Sequence, residues 1–359
     1  MEPIIIKSGQ GDFRVDFFPN IPSLIERTNS FFPMLTVIDR RVAELYSSNL
    51  DAIIEKTPHL LLDATEEEKT WTGVEKVLEF LQNNHANRKS KLLAIGGGII
   101  QEIVAFTAHI YYRGIKWDFI PTTLLAMSDS CIGAKCNINF RTYKNQIGAY
   151  HSPDHVFLCP DFVQTLSDQD IRSGYGEIFK LMLIGSQELV DKFISKIEQG
   201  TVHLEELDYF IALSLRIKQK YIEEDEYEHD VRLILNYGHT FGHALESLTN
   251  YEIPHGCAVA WGIDLANYIS KETGYLSNED FDAIHQIILN HFNFKLSKKV
   301  EANLLIEASR RDKKVSENKI NLILLGKPGD LKIVPTPFDD RLTCWISDYF
   351  EKYQVVYWD

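Results

Sequence analysis

The first 165 or so residues alternate between two kinds of segment, and this alternation narrows the possible folds more than any other feature of the chain. Short apolar runs at "MLTVID" (34–39), "HLLLDA" (59–64), "KLLAIGGG" (91–98), "WDFIPTT" (117–123) and "HVFLCP" (155–160) have strand length and end in turn residues. Between them lie helical patterns such as "TGVEKVLEFLQNNH" (72–85) and "QEIVAFTAHIYY" (101–112). Strands separated by helix-length crossovers pair in parallel, because a parallel neighbour is out of reach of a tight hairpin. From about Ser167 onward, apolar residues recur at three- and four-residue spacing in "SGYGEIFKLMLIG" (173–185), "LDYFIALSLRIKQKYIEED" (207–225) and "HGCAVAWGIDLANYISKETG" (255–274). The predicted class is α/β: an N-terminal Rossmann-like parallel-sheet domain over residues 1–165, then a mainly α-helical domain over 166–359. The cleft between two such domains is where a ligand is expected.

Charge limits the partners. Of 359 residues, 51 are acidic and 37 basic, for a net charge of -14. Bulk attraction to nucleic acid or an anionic membrane is therefore excluded. The start "MEPIIIKSGQ" has no long apolar stretch behind basic residues, so no signal peptide is expected there. No run reaches the ~18 apolar residues of a membrane span. The five cysteines form no CxxC pair, and their odd number argues against a disulfide framework. Reduced thiols in a cytoplasmic protein are the expectation.

Three segments carry chemistry. "AIGGGIIQE" (94–102) puts three glycines between a predicted strand and a predicted helix, where backbone N–H groups can approach a pyrophosphate. It is not the spaced GxGxxG pattern, and glycines also serve tight turns that bind nothing. "DATEEEKTW" (63–71) follows the preceding strand; its carboxylates could hold ribose hydroxyls or simply form a solvated helix start. The third segment, "LNYGHTFGHALESLTNYEIPHGCAVA" (235–260), holds three of the chain's 12 histidines. His239 and His243 are four apart and share a helix face, while His255, between Pro and Gly, is predicted at a loop end. Thr240 stands where a zinc peptidase would have Glu, which argues against that class. Histidines are more often packed or solvated than metal-bound, yet three within 17 residues, beside glycines that allow close approach, suit a divalent metal as well as that plainer reading. Glu177, a charge inside the apolar run "GYGEIFKLMLIG", is a candidate third ligand, with an intrahelical pair to Lys180 as the plainer explanation. Arg113, Lys135, Lys144, Lys218, Arg232 and Lys313 lie within apolar or glycine-rich stretches of an acidic chain. Singly each reads as a surface charge; converging, they would bind phosphate and carboxylate.

Taken in order, "EEEKT", "GGG", "YYRG", "PTTLLAMSDSCIGAK", "KNQIGAYHSP", "SGYGEIFK", "RLILNYGHTFGHALE", "PHGCAVAWG" and "RDKK" resemble the dehydroquinate synthase family of sugar phosphate cyclases over roughly residues 34 to 325. The resemblance implies NAD and a divalent metal, zinc foremost with cobalt or iron as alternatives, serving a small anionic sugar phosphate. It implies Glu177, His239 and His255 as metal ligands, with His243 left as a phosphate contact or proton carrier. Asp129, Lys135, Lys180 and Lys218 would join His243 in catalysis. Asn145, Arg232, Asn236 and Lys313 would bind substrate, and Arg113 would reach the phosphate of a neighbouring subunit in a homodimer. NAD would contact Asp39, Glu66, Lys69, Gly97, Gly98, Glu102, Thr122, Thr123 and Lys144.

The implied reaction is redox-neutral. Hydride leaves a ring carbinol for NAD, phosphate is eliminated, hydride returns, the ring opens, and an aldol addition closes a carbocycle. The chain departs from the family pattern at Gln101 and Glu102, where Gly-Asp is usual, and at Arg41, Cys136 and Cys257, where Asn, Thr and Glu are common. Arg232 and His243 favour a heptulosonate 7-phosphate over a neutral sugar phosphate of the deoxyinosose or valiolone synthase type. A polyol dehydrogenase of the same architecture, and a non-catalytic scaffold, are the remaining alternatives.

Overall fold

A computed structural model describes residues 1–28, 34–141, 143–198, 204–310 and 319–358. The chain divides into two compact units, one of residues 1–167 with 207–227, the other of 168–206 with 228–359.

In the first unit, β1 (Ile4–Ile6) and β2 (Phe13–Phe17) lead into α1 (Ile21–Thr28) and β3 (Leu35–Asp39). Then come α2 (Arg40–Leu45), α3 (Ser47–Ile54), β4 (His59–Leu62), α4 (Trp71–Asn83), β5 (Lys91–Gly96), α5 (Gly98–Ile110), β6 (Lys116–Pro121) and α6 (Leu124–Ser128). A hairpin of β7 (Lys135–Phe140) and β8 (Tyr143–Tyr150) precedes β9 (His155–Leu158). Seven strands form one sheet in the order β1-β2-β9-β6-β5-β3-β4, parallel throughout except for β1 against β2. The middle strand β5 is an unbroken apolar run because helices cover both faces of a parallel sheet; Leu92, Leu93, Ala94 and Ile95 are all fully buried. Gly96 and Pro121 pair across the carboxyl ends of β5 and β6. At that edge Gly97 caps α5, and the Thr123 side chain caps α6 by accepting from the Ala126 N–H at 3.2 Å. The five predicted strands are present. The pair β1 and β2 and the β7–β8 hairpin were not expected from the sequence.

The second unit is built from α7 (Asp168–Gly185), α8 (Gln187–Glu198), the first turn of α9 (Leu204–Glu224), α10 (His239–Leu248), α11 (His255–Glu272), α12 (Asn278–His291) and α13 (Ala302–Arg310). The antiparallel hairpin of β10 (Lys319–Lys327) and β11 (Asp330–Pro337), unexpected in a helical region, precedes α14 (Asp340–Trp358). Helix α11 is buried on every side from Gly256 to Ser270, as a central helix must be. Helices α7, α10, α12 and α14 and strand β10 pack against it.

Most of α9 belongs with the first unit although its neighbours in sequence do not. Its end is clamped by the turn after β1: the Lys7 N–H donates to Glu223 Oε1 and the Gly9 N–H to Glu226 Oε2, each at 2.9 Å. Gln219 Nε2 also donates to the Ile5 carbonyl at 2.8 Å.

Candidate functional site

Glu177, on α7, is 1% exposed, and its two oxygens face different partners. Oε2 lies 2.5 Å from Lys180 Nζ, one turn along the helix and equally buried. Oε1 lies 3.6 Å from His239 Nε2 and 3.4 Å from His255 Nε2. Donors about 2 Å from a tetrahedral metal sit about 3.3 Å from one another, so these separations fit a shared cation.

The far side of each ring fixes which nitrogen carries the lone pair. His239 Nδ1 is 3.2 Å from the Tyr237 carbonyl, which can only accept, so Nδ1 holds the proton and Nε2 is left to ligate. His255 Nδ1 is held at 3.2 Å and 3.3 Å by the Glu246 carboxylate oxygens. In the metal-free protein, burial disfavours a charged His255, but the field of Glu246 and hydrogen bonds to Glu177 and Glu246 push it up to about 10. To ligate a metal the ring must give up that proton, so metal binding there would release it. His243 lies one turn after His239, and ligand atoms of His239, His243 and His255 all fall within 4.8 Å of one another. The residues present thus fit a divalent metal.

Close helix crossings bring these side chains together. A Cβ on Gly176 would lie 2.2 Å from the Gly256 carbonyl oxygen, and one on Gly256 would lie 1.8 Å from that of Ser173. Only glycine permits α7 and α11 to touch backbone to backbone there, and the next residue after Gly176, and the one before Gly256, are Glu177 and His255. His255 is the first residue of α11, with Pro254 at the N-cap, where the sequence suggested a loop end. Gly238, at φ 78°, turns the chain into α10 so that His239 opens that helix.

Of the other expected residues in this unit, Arg232 is 1% exposed within the 3-10 turn Val231–Asn236. Asn236 Nδ2 donates to Glu228 Oε1 at 2.9 Å. Lys313 lies outside the described residues.

In the first unit the expected nucleotide contacts gather at the carboxyl ends of β3 to β6 and on the hairpin. A Cβ on Gly98 would meet only Ser130 Oγ, at 4.0 Å, so the start of α5 has room for a close ligand. Thr122 Oγ1 is buried and, among the described residues, makes no hydrogen bond. Asp39 caps α2 through the Arg41 N–H at 2.9 Å, and burial pushes its carboxyl up from the ordinary value. Lys69 is buried, donating to Glu102 Oε2 and Asn145 Oδ1, both at 2.7 Å, with Glu66 Oε1 at 3.5 Å. Burial works against its charge, yet the fields of Glu102 and Glu66 hold its pKa above the usual lysine value. Burial likewise opposes a charged Glu66, but Lys69 and Lys144, the latter at 3.2 Å, bring that carboxyl below the usual range. Open glycine backbone, a buried hydroxyl and a lysine–carboxylate network suit a dinucleotide.

The departure at 101 and 102 has a structural role on each side. Gln101 is buried and exchanges two hydrogen bonds with Ser130, to its carbonyl at 2.9 Å and from its hydroxyl at 2.6 Å. Glu102 reaches Lys69 and accepts from Asn137 Nδ2 at 3.1 Å. Lys218, on α9, donates to the Asp129 carbonyl at 2.7 Å and lies 2.9 Å from its Oδ1. Lys135 opens β7 half-buried. Arg113 is exposed on a turn where both it and Tyr112 adopt positive φ. Sequence reasoning missed Glu246, Asn137, Asn139 and Ser130. Glu246 alone had a signal, lying three and seven residues after two histidines on one helix face.

Residues 59–173 match the family model described as 3-dehydroquinate synthase N-terminal, and residues 174–315 match that described as 3-dehydroquinate synthase C-terminal. The chain belongs to the 3-dehydroquinate synthase family. Within that family, the 3-dehydroquinate synthase of Legionella pneumophila (strain Lens) is 32% identical over 326 residues, 89% of this chain and 88% of its own length. Two solved structures share the fold at 24% identity and a TM-score of 0.83. One is 2-deoxy-scyllo-inosose synthase complexed with carbaglucose-6-phosphate, NAD+ and Co2+, matched over 97% of this chain and 99% of that one. The other is 2-epi-5-epi-valiolone synthase from Streptomyces hygroscopicus subsp. jinggangensis 5008 with NAD+ and Zn2+ bound, matched over 96% and 98%.

Proposed function

We propose that this chain is a 3-dehydroquinate synthase-type sugar phosphate cyclase, converting a heptulosonate 7-phosphate to a carbocycle with loss of phosphate. The observation that carries this reading is the buried Glu177 carboxylate, shared between Lys180 and two imidazoles whose outer nitrogens are already engaged. Held by Glu177, His239 and His255, a divalent ion would supply Lewis-acid polarisation of a ring oxygen, and NAD would supply a hydride acceptor that is restored each turnover. Zinc suits this donor set best, with cobalt and iron as fits.

The protein's own groups account for the rest. Lys180 sets a buried ammonium against one oxygen of the buried Glu177 carboxylate, offsetting the cost of burying that charge. The Lys218 ammonium is aimed by both the carbonyl and the carboxylate of Asp129, which fixes a donor for a substrate oxygen. Arg232 brings a buried, permanently charged fork suited to a carboxylate, a group the heptulosonate has and a neutral sugar lacks. His243, clustered with His239 and His255, serves as the phosphate contact or proton carrier. Lys135, Asn145 and Asn236 complete the substrate contacts and Lys69, Glu66, Glu102 and Lys144 those of the nucleotide.

A homodimer in which Arg113 serves the neighbouring subunit belongs to the same proposal, supported by the exposed, strained turn that carries it. So does a cytoplasmic location, supported by four buried free thiols.

The test is phosphate release by the purified protein with NAD and zinc. The reading requires release from the heptulosonate 7-phosphate with no lasting NADH. Release from a neutral heptulose or hexose phosphate alone would reassign the chain to the neutral cyclases. About one equivalent of NADH per product would make it a dehydrogenase.

A further inference from the structure

Tyr237 sits between the 3-10 turn that carries Arg232 and the helix that begins with His239. Its carbonyl orients His239, as described above, and its ring is fully buried. The phenol hydroxyl donates to Asn267 Oδ1 on α11, the same helix that presents His255 at its first residue. One side chain therefore ties the segment that aims one imidazole to the helix that presents the other.

A packing role alone would not call for this pair. Asn267 is completely buried, and its Nδ2 has no hydrogen-bond partner among the described residues. An apolar pair would fill the same space without an unsatisfied amide. What the polar pair adds is direction: a hydrogen bond fixes the height of Tyr237 along α11, whereas apolar contact would let it slide. The preceding turn of α11 contains a second buried group, Asp264, whose Oδ2 accepts from the Tyr349 hydroxyl and meets His285 Nδ1, both at 2.7 Å. That bond ties α14 to the same helix but touches no metal ligand, which makes it an internal control.

We propose that Tyr237 and Asn267 are positioning residues that set the orientation of His239 relative to His255, and so the affinity and geometry of the metal centre. The inference rests on the reading of Glu177, His239 and His255 as metal ligands.

Cobalt(II) titration of the chelator-treated full chain tests it, read by visible absorption, with melting temperature measured alongside. Tyr237→Phe and Asn267→Leu should each weaken cobalt binding roughly tenfold and alter the absorption envelope. The double variant should bind no worse than the weaker single, because one hydrogen bond is lost in all three. Tyr349→Phe should lower the melting temperature and leave cobalt binding and spectrum as in the wild type. Unchanged binding in Tyr237→Phe and Asn267→Leu overturns the inference. So does a loss of affinity that Tyr349→Phe reproduces in step with its melting temperature. A wild-type chain that takes up no cobalt overturns the metal reading itself, a distinct result visible before any variant is made.

Discussion

A carboxylate buried to 1% survives in a protein only when opposite charge or a metal keeps it ionised, and Glu177 has Lys180 on one oxygen and two imidazoles near the other. Glu177→Gln preserves the volume and removes the charge. Bound metal, measured by inductively coupled plasma mass spectrometry, should fall to roughly a tenth of the wild-type content or less. The cysteines give a second expectation. Burial pushes Cys131, Cys136 and Cys159 up to about 12 and Cys257 to about 11, while Cys344 is exposed. One thiol per chain, Cys344, should react with Ellman's reagent in the native state, and all five after denaturation. Glu66 supplies a pH test. Its carboxyl is depressed in the fold, so its charge contributes stability above the ordinary carboxylate range and loses it as pH falls through the depressed value. Glu66→Gln should flatten the acid side of the melting-temperature profile; an unchanged profile would show that Lys69 and Lys144 do not stabilise it. At this scale the candidate ligands are legible in the sequence, since a charge in an apolar run and two histidines four apart stand out. It hid their supports. Tyr237 acts through a carbonyl every residue has, and Glu246 acts only because α10 and α11 meet.

Helix crossings explain how Glu177, His239 and His255, from three segments, come together. Gly176→Ala and Gly256→Ala each set a methyl against backbone at 2.2 Å or less, which must push α7 and α11 apart. Each should cost about 3 kcal/mol in denaturant unfolding and weaken metal binding as well. Gly98→Ala is the contrasting case. Its methyl would have only Ser130 Oγ at 4.0 Å, so the melting temperature should hold while NAD binding, followed by calorimetry, weakens at least about tenfold. The parallel strands were readable from their apolar runs. The β7–β8 hairpin was missed because β7 alternates Lys135, Asn137 and Asn139 with Cys136, Ile138 and Phe140, a period of two unlike the unbroken apolar runs of the parallel strands. The β10–β11 hairpin lies in a stretch where the long helical patterns before it set the expectation.

For the whole molecule, what the sequence could not convey was the return of residues 207–227 to the first unit. That placement depends on backbone N–H groups of Lys7 and Gly9 finding Glu223 and Glu226 more than 200 residues away, a contact no local pattern encodes. The consequence is that Lys218 meets Asp129 within one unit, whereas Glu177, Lys180, His239 and His255 form a set within the other. Asp129 lies in the stretch matched to the N-terminal half of the family, whereas Lys218 and the whole second set lie in the stretch matched to its C-terminal half, so the compact units do not divide where the family halves do. If the proposed chemistry holds, NAD and metal should each raise the melting temperature in proportion to the logarithm of their concentration, as ligands bound only by the native state do.

The most direct test of the central claim is anomalous diffraction at the zinc edge from crystals of the zinc-loaded protein. The account predicts one strong peak per chain, about 2 Å from Glu177 Oε1, His239 Nε2 and His255 Nε2. A peak held by His239, His243 and His255, with Glu177 left to Lys180 alone, or no peak among these residues, would contradict it.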